Sequence, residues 1–98
     1  MPAKSFIAQL RTRPEKREEL IALQCELKQL VFEHEPDVLV YELLQSDTDP
    51  DVFQVVATFR DEAAYEKNMH IDFHDRLVPQ ILTCVAEDMQ LDFYQSLS

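Results

Sequence analysis

VLVYELLQSDTDPDVFQVVATF, residues 38–59, sets two runs of branched and aromatic side chains around a six-residue segment made of Ser, Thr, Asp and Pro. The runs have strand composition and the segment between them has turn composition, so the stretch predicts a hairpin of strands 38–45 and 52–59. In simple alternation Val38, Val40 and Leu44 oppose Leu39, Tyr41 and Leu43, and Val52 and Val56 oppose Phe53, Val55 and Phe59. Both faces of the hairpin then read as apolar, where a sheet with one wet face alternates apolar with polar. Helices of the same chain cover one face. The other asks for a second copy, and a symmetric homodimer packed through its sheet faces is expected.

Outward from the hairpin, KSFIAQLRT (4–12) alternates as a strand. Pro14 then opens a helical stretch in which Leu20, Leu23, Gln24, Leu27, Leu30 and Val31 recur at helical spacing up to Pro36. Beyond the hairpin, Asp61 is placed to cap a helix over 61–70, and a second helical piece follows near 73–83. Pro79 argues against one unbroken helix from 61 to 83 unless it is kinked. VAEDMQLDFY (85–94) reads as a last strand. The order β-α-β-β-α-β predicts an α+β, ferredoxin-like fold with a four-stranded antiparallel sheet, and residues 1–98 form a single domain.

Composition narrows the function classes. The formal charge is −10, and six of the nine bases lie in residues 1–32 among interleaved glutamates. Such a surface repels phosphate backbones, so no nucleic-acid partner is expected. There is no glycine, which removes every phosphate-cradling or dinucleotide-binding loop that needs close backbone approach. No apolar run is long enough to cross a bilayer and the first residues lack a secretory pattern, so the expectation is a cytoplasmic protein without a membrane partner. Cys25 and Cys84 are too few and too far apart for a metal ribbon or a redox pair.

NMHIDFHD (68–75) raises the chemistry. His70 and His74 are four apart, the spacing for a shared zinc if the backbone between them is continuous helix, with Asp72 or Asp75 borrowed as a third ligand. A change of helix direction there removes that geometry, and no metal is expected. A histidine beside an apolar cavity suits the transfer of one proton instead, and His74, followed by Asp75, is the candidate. Such a cavity is expected between the sheet and its helices, within reach of Tyr41, Tyr65, Asn68, His70 and His74. Tyr41 and Phe59 also read as core. His34 reads as a helix C-terminal residue favoured by the helix dipole.

The strand followed by RPEKREEL, the run EPDVLVYELLQSDTDPDVFQVVATFRDEAAYEKN and the later DFH together resemble the antibiotic biosynthesis monooxygenase domain, a family of dimeric α+β barrels. The resemblance covers roughly residues 4–94. It implies oxygenation of a small aromatic or quinol-like compound without metal, flavin or nicotinamide, hence no cofactor. The family's pocket tyrosine is matched by Tyr65 and its later histidine by His74; with Asn68 these are the expected catalytic residues, and Phe59, Tyr41 and His70 are expected against the substrate. Where many members carry glutamate, tryptophan and histidine, this chain has Ala57, Phe59 and Asn68. Those differences support a second reading, a non-catalytic small-molecule binding dimer. Haem degradation, sugar-phosphate isomerisation and metal binding stand behind both.

Overall fold

The computed structural model describes residues 3–97. Along the chain run β1 (Ala3–Arg11), a 3-10 turn (Pro14–Lys16), α1 (Arg17–His34), β2 (Val38–Gln45), β3 (Val52–Phe59), α2 (Glu62–Met69), α3 (Asp72–Leu82) and β4 (Gln90–Ser96). Every strand pairing is antiparallel and the order across the sheet is β2-β3-β1-β4. This is the expected ferredoxin-like arrangement, with its second helix in two pieces.

The hairpin strands have the predicted bounds. Their turn is tied by short side chains: Ser46 Oγ accepts from the Thr48 and Asp49 amides, and Asp49 Oδ1 accepts from the Asp51 amide. Asp51 in turn receives Arg17 Nε at 3.0 Å and Nη2 at 2.7 Å, fastening the turn to the start of α1.

Inside β2 the register shifts. Val38 pairs with Phe59 and Val40 with the adjacent Thr58, so Leu39 is an extra residue, a β-bulge that is 53 % exposed. One inserted residue reverses the alternation beyond it. Tyr41 and Leu43 therefore turn toward the helices, while Val40, Glu42 and Leu44 turn away. The simple alternation expected from the sequence is corrected at this point.

The expectation of a second wholly apolar face is corrected too. Ile7 and Val56 are paired at its centre, but Ser5 bonds Thr58 at 2.8 Å and Ser96 at 2.9 Å, and Gln54 donates to Gln9 at 3.1 Å. The outer face has an apolar centre between polar pairs, with Val40 and Leu44 of β2 adding apolar side chains at one edge.

The core lies on the other side. Phe53, Val55, Ala57 and Phe59 of β3 are packed with Leu20, Leu27 and Val31 of α1 and Leu77 and Ile81 of α3, all buried. A fully buried side chain of this size contributes about 1.5–3 kcal/mol. Asp61 caps α2 as predicted, accepting from the Ala64 amide at 2.9 Å. The helical stretch breaks at His70–Ile71, where Ile71 is extended (φ −83°, ψ 148°), and Pro79 is carried inside α3.

The last strand starts later than expected. Residues 84–89 close the far end of β1 instead: Arg13 N–H donates to the Cys84 carbonyl at 2.9 Å and Ala86 N–H to the Arg11 carbonyl at 2.7 Å. Val85 makes only an isolated bridge with Thr12. Among the described residues no helix is long and apolar enough to cross a membrane.

Phe59 is fully buried and stacks on Phe6 with ring centroids 5.9 Å apart. Phe59→Ala is expected to lower unfolding free energy by about 3–5 kcal/mol, read as a shifted urea midpoint at unchanged slope. A loss below about 1 kcal/mol would show that Phe59 is not a core residue.

Candidate functional site

A cavity of about 150 Å³ lies between the inner sheet face and the helices. Its floor includes Ala8, which sits between Val55 of β3 and Leu91 of β4 in the register. A larger side chain at this central position would fill the space. Tyr41, brought inward by the bulge, and Phe6 complete the sheet side, and Gln24 and Leu27 come from α1. Tyr65 and Met69 of α2 and His74, Val78 and Ile81 of α3 line the helix side. Leu82, Met89 and Leu91 line the cavity while remaining 49, 38 and 43 % exposed, which places its mouth between the end of α3 and the start of β4.

A wider depression of about 400 Å³ lies near Lys4, Glu62 and Phe93. Its charges are already engaged. Lys4 Nζ is 2.8 Å from Glu62 and sits over the rings of Phe93 and Tyr65, 4.6 and 5.1 Å from their centroids. The apolar cavity is the better enclosed site for a small organic molecule.

Tyr65 is fixed by its neighbours. Its ring meets Phe93, Phe59 and Phe6 edge-on at 5.4, 5.6 and 6.3 Å, each contact near the preferred perpendicular geometry. Lys4 adds a cation above the same ring. Such a side chain presents one orientation to the cavity.

His74, on the first turn of α3, is half-buried against the cavity. Burial pushes its pKa down, opposed by the Asp75 carboxylate and assisted by His70. At neutral pH the imidazole is uncharged and can take a proton. Tyr41 is 5 % exposed, and burial raises its pKa well above the usual phenol range, so it remains a neutral hydroxyl.

Of the residues singled out in the sequence, Tyr41, Tyr65 and His74 meet at this cavity. Phe59 is core beside it, supporting Tyr65 from behind. Asn68 is fully buried but does not line the cavity, and neither its Nδ2 nor its Oδ1 has a hydrogen-bond partner among the described residues. His70 caps the end of α2 and is exposed, away from the lining. The break at Ile71 therefore separates the two histidines of NMHIDFHD. Among the described residues no three His, Cys, Asp or Glu side chains cluster as metal ligands. His34 ends α1, exposed, with its ring 5.9 Å from Phe73. Cys25 is exposed and Cys84 buried, both free.

The sequence reading missed Gln24. It lines the cavity at 6 % exposure, and its Oε1 has no hydrogen-bond partner among the described residues. The available signal was a carboxamide occupying a position of the apolar stripe between Leu20 and Leu27.

A family model described as antibiotic biosynthesis monooxygenase matches residues 5–72. Among curated proteins none matches the chain in sequence. Among solved structures, a conserved protein from Methanosarcina mazei Go1 superposes with TM-score 0.92 at 20 % identity, covering 98 % of this chain and 94 % of that one. A Caulobacter crescentus CB15 protein named as a candidate antibiotic biosynthesis monooxygenase gives 0.94 at 21 %, covering 99 % and 92 %. A crystal structure named as an antibiotic biosynthesis monooxygenase gives 0.86 at 26 %, covering 97 % and 99 %.

Two outcomes test the site as built. Because the folded pKa of His74 is below its ordinary 6.5, the unfolded chain binds that proton first as pH falls. The contribution of His74 to stability is complete above 6.5 and is lost as pH falls from there through the folded value. Between pH 7 and 5 the unfolding free energy of wild type is expected to fall more than that of His74→Gln, and equal slopes would show an unshifted histidine. Asn68→Leu removes two unpaired buried atoms and is expected to raise stability, by up to about 1–3 kcal/mol. A thermal melt showing clear destabilisation would overturn that account of Asn68.

Proposed function

Because the chain belongs to the antibiotic biosynthesis monooxygenase family, we propose that it is a cofactor-independent monooxygenase of a small aromatic or quinol-like compound. The observation that carries this reading is the apolar cavity in which Tyr41, Tyr65 and His74 converge. An electron-rich ring held there gives up a hydroxyl proton to the neutral imidazole of His74. The resulting anion is itself the electron donor to dioxygen. For a simple quinol the balance closes without an added reductant: quinol and dioxygen yield a hydroxyquinone and water, the ring supplying all four electrons.

The roles follow from chemistry and position. His74 is the proton acceptor, since its lowered pKa leaves it uncharged at working pH. Tyr65, held edge-on by three aromatic rings, orients the substrate and donates a hydrogen bond to the developing anion. Tyr41 keeps its proton and serves as a second donor.

A homodimer through the outer sheet face and a cytoplasmic location belong to the same proposal. Ile7 and Val56 at the centre of that face, with flanking hydrogen-bonded serine, threonine and glutamine pairs, support the first. The two free cysteines suit a reducing compartment.

Oxygen uptake with a panel of quinols is the direct test. His74→Ala is expected to slow turnover by about 100-fold or more and Tyr65→Phe by about tenfold. Unchanged rates would remove the assigned roles, and ligand-induced thermal stabilisation without product from any quinol would replace the enzyme with a binding protein. Light scattering at low micromolar concentration is expected to return twice the chain mass. A stable monomer there would end the dimer proposal.

A further inference from the structure

Lys4 stands on the inner face of the sheet, between Phe59 and Gln95 in the register. A base on that face is costly to cover unless its ammonium is held. The side chain is 23 % exposed, and three groups hold its Nζ: the Glu62 carboxylate at 2.8 Å, and the faces of Phe93 and Tyr65 at 4.6 and 5.1 Å from the ring centroids. An ammonium within about 6 Å of a centroid is attracted by the negative face of the ring. The Tyr65 and Phe93 rings meet at 82°, and the cation in the angle between them lies over both.

α2 has little else to hold it. The helix has eight residues and buries one side chain, Asn68, whose carboxamide has no partner among the described residues. Ala64, Tyr65 and Met69 pack against the core only partly buried, yet Tyr65 and Met69 form the α2 side of the cavity wall. Glu62 and Tyr65 are three apart and neighbours on the helix surface, so one ammonium takes hold of α2 twice, by a carboxylate and by the ring itself. Glu62 is 63 % exposed, and an ion pair so exposed holds little alone. The two ring contacts give the grip its direction. Lys4 does not line the cavity, so what it does for a bound molecule it does through Tyr65.

We propose that Lys4 is a positioning residue: its ammonium clamps Glu62 and the Tyr65 ring against β1 and β4, and so sets the direction in which the Tyr65 hydroxyl meets a molecule in the cavity. The consequence for turnover rests on the oxygenase reading. The orientation of Tyr65 does not.

Near-ultraviolet circular dichroism of the ligand-free full chain tests the clamp, the share of Tyr65 being the difference that Tyr65→Phe makes to the tyrosine band in each background. Lys4→Met keeps an unbranched stem without the charge and is expected to lose about half of that share or more, at unchanged far-ultraviolet signal. Lys4→Gln, a second variant without charge, is expected to do the same, and Lys4→Arg to retain the share because guanidinium also pairs with carboxylate and stacks on rings. A full Tyr65 share in either uncharged variant overturns the proposal, as does an equal loss in Lys4→Arg. Oxygen uptake with quinols is read separately. Lys4→Met is expected to lower kcat about tenfold with KM changed less than about twofold, and to have no further effect once Tyr65 is Phe. An equal loss in both backgrounds shows that Lys4 acts elsewhere than through Tyr65 and overturns the assignment. Absence of turnover of any quinol by wild type would sink the oxygenase reading and leave the clamp to be decided by the circular dichroism.

Discussion

Removing the β3 side chains Phe53, Val55, Ala57 and Phe59 from water is the constraint from which the architecture follows. β3 lies between β2 and β1, so its inner ridge is flanked by strands on both sides and can be covered only from above. Leu20, Leu27 and Val31 of α1 and Leu77 and Ile81 of α3 supply that cover. β4, paired only with β1 at the sheet edge, receives little of it: Leu91 and Phe93 remain 43 and 46 % exposed although their register partners, Ala8 and Phe6, are buried. The cavity sits at this boundary, where covered sheet gives way to uncovered sheet and where Ala8 supplies no bulk.

Two local features place polar groups at that boundary. The bulge at Leu39 turns Tyr41 inward and sends Glu42 outward; without it the carboxylate would face the core, a cost of several kcal/mol in an apolar interior. The break at His70–Ile71 starts a new helix whose first turn presents His74 to the cavity and leaves His70 outside. Desolvation then sets both protonation states in the same direction, toward neutrality: the phenol of Tyr41 holds its proton and the imidazole of His74 refuses one. A site assembled this way has hydrogen-bond donors and one proton acceptor but no fixed charge. It suits a substrate that acquires charge during reaction rather than one that arrives charged.

Much of this was legible in residue patterns. The hairpin bounds and the Asp61 cap follow from local signals, namely strand composition and a capping carboxylate; α2 and α3 part where two helical pieces are expected, although Pro79, the signal for a break, is carried inside α3. The reading failed where tertiary structure outweighed local preference. Periodicity carries no mark of a single inserted residue, so Leu39 reversed the assignment of Tyr41. Val85 has strand composition, yet its segment is held by Arg11 and Arg13 at the end of β1, and the strand waits until Gln90. Tyr65 and His74 were recognisable as residue types able to do chemistry near a sheet. Gln24 was not, because one carboxamide in an apolar stripe reads as tolerance and its unpaired oxygen exists only in three dimensions.

Unpaired buried groups are the least expected feature of so small a fold. Gln24, Glu35 and Asn68 each keep at least one buried atom without a partner among the described residues, and each such atom costs about 1–3 kcal/mol against a total stability of about 5–15 kcal/mol. The three are not equivalent. Glu35 has its second oxygen 3.4 Å from Lys67, so its charge is compensated. Asn68 has no face on the cavity and reads as a local strain on α2. Gln24 belongs to the cavity wall, with its unpaired oxygen closed off from the open volume. A ligand that enters the cavity binds the folded chain only and stabilises it by mass action, which ties occupancy of the site to the persistence of the fold around it.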